Sequence, residues 1–132
     1  MYLIRYKNAF LFAGALALVI GCASMAPIQN YPNQPISTNR PVSLDEIGKV
    51  IRAAGASLKM DMQQVSPGVI NATYVSTRER TAVIEVRYDT KQYSITYKDS
   101  QGLAYDGKNI MKGYNGWVEN LDKSIRAQLS AL

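Results

Sequence analysis

The chain has 132 residues, of which 47% are hydrophobic, with 15 Lys and Arg against 10 Asp and Glu and no His. That length allows one domain and hardly two. The absence of imidazole excludes the commonest general base, pH switch and transition-metal ligand together. The formal charge is +5, and the +3 that remains without residues 1–21 is too small a basic balance to point to nucleic acid.

The first segment is not domain-like. Arg5 and Lys7 form a basic head, and Ala9 to Ile20 is apolar apart from small residues. A basic head, an apolar run of about 7–15 residues and a small residue before the cut describe a secretory signal peptide. A transmembrane helix needs about 20 apolar residues, which Ala9 to Met25 reaches only at the short edge. A buried core helix would need polar punctuation at helical spacing, and Ala9 to Ile20 has none.

The run ends in Val19-Ile20-Gly21-Cys22, which resembles the lipobox of bacterial lipoproteins, although Leu more usually stands where Val19 does. The resemblance implies a diacylglyceryl group on the Cys22 thiol, cleavage between Gly21 and Cys22, and acylation of the new amine. Cys22 is the only cysteine, so it has no internal disulfide partner. A lone thiol in an oxidising compartment is a liability unless it is capped. Residues 1–21 are therefore expected to be a cleaved lipoprotein signal peptide, with the mature chain held on a membrane by Cys22. Ala23 stands where Asp would be the retention signal, and by resemblance to enterobacterial sorting this implies the outer membrane, facing the periplasm. Loss of residues 1–21 leaves 111 residues with 13 Lys and Arg against 10 Asp and Glu, a formal charge of +3.

Four of the five prolines, Pro27, Pro32, Pro35 and Pro41, fall between Ala26 and Pro41. Each lacks an N–H donor and restrains its predecessor, which bars a helix or a central strand. Residues 22–42 are accordingly expected to be a semi-rigid tether, rising about 3.1 Å per residue. Pro32-Asn33-Gln34-Pro35 has the spacing of a proline docking motif but no basic flank.

Residues 43–132 read as a small α+β domain. Ser43-Leu44-Asp45-Glu46 is a capping-box start, and Leu44, Ile47, Val50, Ile51 and Ala54 share one helical face. Gly55 stands where a left-handed stop belongs, so the helix is expected over 44–54. Period two then appears at Leu58, Met60 and Met62, from Val69 to Ser76, from Ala82 to Tyr88, and at Tyr93, Ile95 and Tyr97. The connections between these runs are short, with Ser66-Pro67-Gly68 and Asp89-Thr90-Lys91 as turns. After a loose stretch from Asp99 to Gly113, Tyr114 to Leu129 is a second amphipathic helix with Trp117 on its apolar stripe. The expected architecture is two-layer: a four-stranded antiparallel meander with the N-terminal and C-terminal helices on one face.

Gln64 to Ala72, Thr81 to Ser100 and Tyr114 to Asp122 together resemble a family of small proteobacterial lipoproteins. The resemblance implies the localisation and fold above and no particular activity. Members of that family carry a Trp near Met60, a His near Arg80 or Thr81, and an Ile-His pair where Ile110-Met111 stands. This chain lacks all three.

No nucleophile elbow, phosphate loop, dinucleotide fingerprint or zinc spacing is present, and no cofactor or metal is expected. Two constellations stand out. Asp99, Asp106 and Asp122, with Asn109 and Asn115, could offer oxygen ligands to calcium, or serve the turn and cap roles more usual for Asp and Asn. Tyr88, Tyr93, Tyr97, Tyr105 and Tyr114 could line an aromatic groove for glycan or peptide, or pack in the core. The function expected from these residues is a non-enzymatic binding or structural module. It would be attached to the membrane through Cys22 and would dock an envelope protein or peptidoglycan. The alternative is a hydrolase of the envelope that uses a carboxylate pair, Asp99 and Asp106.

Overall fold

A computed structural model describes residues 24–132; Gly21 and Cys22 lie outside the described residues. In chain order the elements are β1 (Met25–Pro27), β2 (Tyr31–Pro35), α1 (Leu44–Ser57), β3 (Asp61–Ser66), β4 (Val69–Val75), β5 (Thr81–Tyr88), β6 (Gln92–Gln101), β7 (Asn109–Met111) and α2 (Lys112–Leu129). Five strands make one antiparallel sheet in the order β2-β6-β5-β4-β3, and β1 and β7 make a separate antiparallel pair.

The expectation of a four-stranded meander is thus corrected to a five-stranded sheet plus a two-stranded one. Both additions begin in the segment expected to be a tether, so the folded body starts near Met25 rather than at Ser43. The reason lies in what proline forbids. It removes a ladder donor, which disqualifies a central strand but not an edge. β2 is an edge strand, with Tyr31 opposite Ile95, Pro35 opposite Gln92 and an irregularity between Tyr31 and Gln34. Asn33 takes a positive φ of 50° there and donates its N–H to Ser94 Oγ at 2.9 Å. β1 is held by a side chain: Asn115 accepts from Gln29 N at 3.0 Å and donates to Pro27 O at 2.9 Å.

The helix arrangement is corrected with the sheet. The helices pack on each other, α1 also on β3 and β4, and α2 also on the small sheet through β7. One core joins Ile47, Ile51 and Ala54 of α1 to Val118, Leu121 and Ile125 of α2. Beneath them lie Ile70 and Ala72, Ile84 and Val86, and Tyr93 and Ile95, with Ile70, Val86 and Ile95 aligned across three strands. The alternate residues of these strands, such as Asn71, Glu85 and Thr96, are only half-buried.

Local signals act differently from their sequence reading at two places. Ser43 accepts from Glu46 N at 3.2 Å, but the Glu46 carboxylate turns away to Arg40 at 2.6 Å instead of closing the capping box. Gly55 does not end α1, which runs on to Ser57; the left-handed residue is Lys59, φ 62°, after which Met60 N returns to Gly55 O at 3.0 Å. Gly55 is instead a point of close approach, since a Cβ there would overlap the Met62 side chain. Trp117 sits at the margin of the core, half-buried, with its ring 4.5 Å from that of Tyr74.

Because Ile28, Tyr31 and Ile36 pack against the core, a chain starting at Ser43 should melt at a clearly lower temperature than one starting at Ser24. Equal melting temperatures would mean that β1 and β2 add nothing to the fold.

Candidate functional site

The sheet has two ends. The turns β3–β4 (Ser66 to Val69) and β5–β6 (Asp89 to Gln92) lie at one of them, beside the start of α1. The β4–β5 turn (Ser76 to Arg80) lies at the other. A hollow of about 560 Å³ opens at the first end between α1 and the β3–β4 hairpin; its walls include Leu44, Arg52, Gln64, Val65, Pro67 and Tyr88. A second hollow of about 290 Å³ lies beside it, with Gly68, Arg87 and Gln92 in its wall and Tyr88 and Pro67 shared between the two.

Gln64 organises this end. Its amide N–H groups donate to Ser66 O at 2.7 Å and to Tyr88 Oη at 2.8 Å, and its carbonyl accepts from Arg52 Nη1. One exposed side chain thereby joins the hairpin, β5 and α1. Gly48 completes the arrangement. A Cβ at that position would stand 2.5 Å from Tyr88 Oη, so only glycine lets the phenol lie against the helix. Glycine inside a helix costs about 1 kcal/mol relative to Ala, which marks the contact as one that packing imposes. The hollow offers a guanidinium, an amide, a phenol and the exposed Val65. This is a surface of mixed polarity, with no nucleophile paired to a base among its walls.

The five tyrosines singled out in the sequence do not form one groove. Tyr88 walls the two hollows. Tyr93, opposite it in register, is buried and donates its hydroxyl to Asp122 Oδ1 at 2.6 Å. Asp122 Oδ2 in turn accepts from Arg126 Nη2 one helical turn on. Tyr97, Tyr105 and Tyr114 gather elsewhere, with ring centroids 4.1 Å apart for Tyr97–Tyr105 and 5.7 Å for Tyr97–Tyr114. Tyr97 Oη and Ser100 Oγ share a hydrogen bond of 2.8 Å, whereas the buried Tyr114 hydroxyl has no partner among the described residues. Burial holds the Tyr93 and Tyr114 phenols well above the ordinary range. For Tyr93 the Asp122 carboxylate adds to the rise, and for Tyr114 the neighbouring Tyr97 and Tyr105 do.

The acidic set is likewise dispersed in role. Asp106 Oδ1 accepts from Lys108 N at 2.9 Å and Asn109 N at 2.6 Å, an Asx turn whose amides hold the carboxyl below its ordinary value. Asp99 Oδ1 accepts from Ser100 N at 2.8 Å. Asp122 belongs to Tyr93 and Arg126, and Asn115 to β1. Among the described residues no three of His, Cys, Asp and Glu converge as metal ligands. Sequence reasoning missed Gln64, Arg52 and Gly48. A glycine inside an otherwise apolar-periodic helix was the one available signal, since such a residue tends to have a packing reason. No family model, no curated protein and no solved structure matches the chain.

Two measurements test this account. Asp122→Ala leaves the buried Tyr93 hydroxyl without an acceptor and should cost about 1–3 kcal/mol of stability in denaturant titration; no change would show that the pair is not formed. The raised phenols act at high pH. Their contribution is fully present below the unfolded value near 10 and is lost as pH rises through the folded one. The melting temperature should therefore be level up to about pH 9–10 and fall above it, with a shallower fall in Tyr114→Phe. An equal fall in that variant would remove Tyr114 from the explanation.

Proposed function

We propose that this protein is a lipoprotein of the bacterial cell envelope, held on the periplasmic face of the outer membrane by acyl chains on Cys22, and that it works there as a non-enzymatic binding or structural module. The observation that carries the reading is the ordered series of basic head, apolar run and Val19-Ile20-Gly21-Cys22, with the chain's single thiol at the point of cleavage. Burial of acyl chain contributes about 0.8 kcal/mol per CH₂, so two or three chains hold a protein on a bilayer in effect permanently. The state of the carboxylates supports a non-enzymatic role. Asp99 and Asp106 each bind local backbone amides, and Asp122 is closed into the core, so none of the three is poised as a free acid–base partner.

The partner surface in this reading is the double hollow walled by Tyr88, and the partner is an envelope protein or peptidoglycan. Placement favours it. The chain enters the body at Ser24–Met25, and Met25 pairs with Met111, whose N–H returns to Leu103 O just beyond the end of β6. That is the end with the β4–β5 turn, so the hollow lies at the end away from the anchor.

Mass spectrometry of the mature protein should show an N-terminal peptide that begins at Cys22 and carries added acyl mass. A free thiol, or cleavage at another bond, would remove the anchored reading. Crosslinking in intact cells from position 65, beside the hollow, should capture a discrete envelope partner that a crosslinker placed at the outward-facing Thr96 does not.

A further inference from the structure

Cys22 stands two residues before Ser24, so a lipid on its sulfur is attached within about 7 Å of chain from the folded body. A tether would have left the body free to choose its distance from the membrane, whereas two residues leave almost none. Whatever stands at that end of the fold must meet the headgroups.

Four cations stand there. Arg78 and Arg80 belong to the β4–β5 turn, and a Cβ at Gly102 would lie 3.3 Å from the Arg80 side chain. Leu103 follows Gly102 and receives Met111 N at 3.0 Å, and Lys112 follows Met111. Lys59 ends the α1 turn and stands between Leu58 and Met60, which share a small hollow with Tyr74 and Trp117. Among the described residues none of the four forms an ion pair; elsewhere Arg40, Lys49, Arg87, Lys98, Lys123 and Arg126 each hold a carboxylate, and Arg52, Lys91 and Lys108 do not. Glu79 is the one acidic residue in the turn; Asp61 and Asp99 come at the next level of the sheet, across Thr73 and Val83. Val75, 61% exposed, and the half-buried Trp117 supply the apolar part of the same end.

We infer that this end of the domain docks on the leaflet that holds its lipid, with Lys59, Arg78, Arg80 and Lys112 against anionic headgroups and Trp117 and Val75 at the interface. The inference rests on the anchored reading of Cys22 and adds an orientation to it. Unpaired cations beside an anchored bilayer gain from a negative surface potential, and Trp is the side chain most at home at headgroup depth. Docked in this way, the body stands with the long axis of its sheet away from the membrane and holds the Tyr88 hollow towards the periplasm.

Trp117 is the only tryptophan in the chain, which makes it a reporter of this contact. The purified acylated protein is to be placed in vesicles with brominated acyl chains, either phosphatidylcholine alone or phosphatidylcholine mixed with phosphatidylglycerol. Quenching of Trp117 should be stronger in the anionic vesicles and should be relieved near 1 M salt, where screening acts within about 3 Å. Arg78→Gln and Lys112→Gln should each lower the ratio of docked to undocked protein about fivefold, whereas Lys91→Gln, in the β5–β6 turn at the other end, should leave it unchanged. Equal quenching in both lipids, or an equal loss in Lys91→Gln, would overturn the docking while flotation with the vesicles upheld the anchor. Failure to float would overturn both.

Discussion

The hydrogen bond from Tyr93 to Asp122 constrains the rest of the structure. Asp122 is the one charged side chain buried among the described residues, at 3% exposure. A buried carboxylate without partners is too costly to keep, so α2 can turn only one way about its axis: the way that brings Asp122 to the Tyr93 hydroxyl and leaves Arg126 outside to complete the pair. Once that rotation is set, Val118, Leu121 and Ile125 face inward together, and the apolar stripe of α2 meets α1 and the sheet in one register. The same bond ties the last helix to β6, the strand that holds β2 on one side and β5 on the other. Gln34 of β2 lies within 3.5 Å of Arg126, so the edge strand is joined to the pair through its solvent-facing half.

The segment from Met25 to Pro41 shows how folding can override composition. Its prolines bar a helix and hold the residues before them extended, and extended backbone can be either a free spacer or an edge strand. What decides between them is whether a partner edge is available. β6 offers one over ten residues, and side chains complete the match where the proline-rich backbone cannot: Tyr97 N donates to Asn30 Oδ1 at 3.0 Å, and Asn33 N to Ser94 Oγ at 2.9 Å. The energetic result is a covered Tyr93 and Ile95. The structural result is a body with two ends, one where the described chain begins at Ser24 and the other carrying the hollow walled by Tyr88.

Two glycines of α1 show how a site is shaped by what is left out. Gly48 and Gly55 are buried and lie seven residues apart on one helical face, and each receives a side chain where a Cβ would stand, Tyr88 on the first and Met62 on the second. The helix gives up intrinsic stability at both positions, and β3 and β5 are thereby drawn in close enough for Gln64 to reach Tyr88 and Arg52 at once. The hollow at that end borders this close packing, so the hydrogen-bonded Arg52, Gln64 and Tyr88 stand in its wall beside the apolar Leu44, Val65 and Pro67.

From the residues alone came whatever depended on near neighbours. The start of α1 at Leu44, with Ser43 as its cap, the Ser66-Pro67-Gly68 reversal and the period-two runs at β4 and β5 all follow from spacings of a few residues, where backbone geometry leaves little choice. What only the tertiary structure decided was anything that needed a distant partner. β1 and β2 exist because β7 and β6 present open edges 57 to 86 residues away, and no local pattern in a proline-rich segment can announce that. The five tyrosines looked alike in sequence and separated into a hollow wall, a buried donor and a ring cluster, because the fold, and not the residue type, determines which polar group a phenol meets. In sequence Asp122 stood among the candidate calcium ligands and turn or cap residues. It became a buried one because the hydroxyl that satisfies it arrives from β6, 29 residues earlier in the chain.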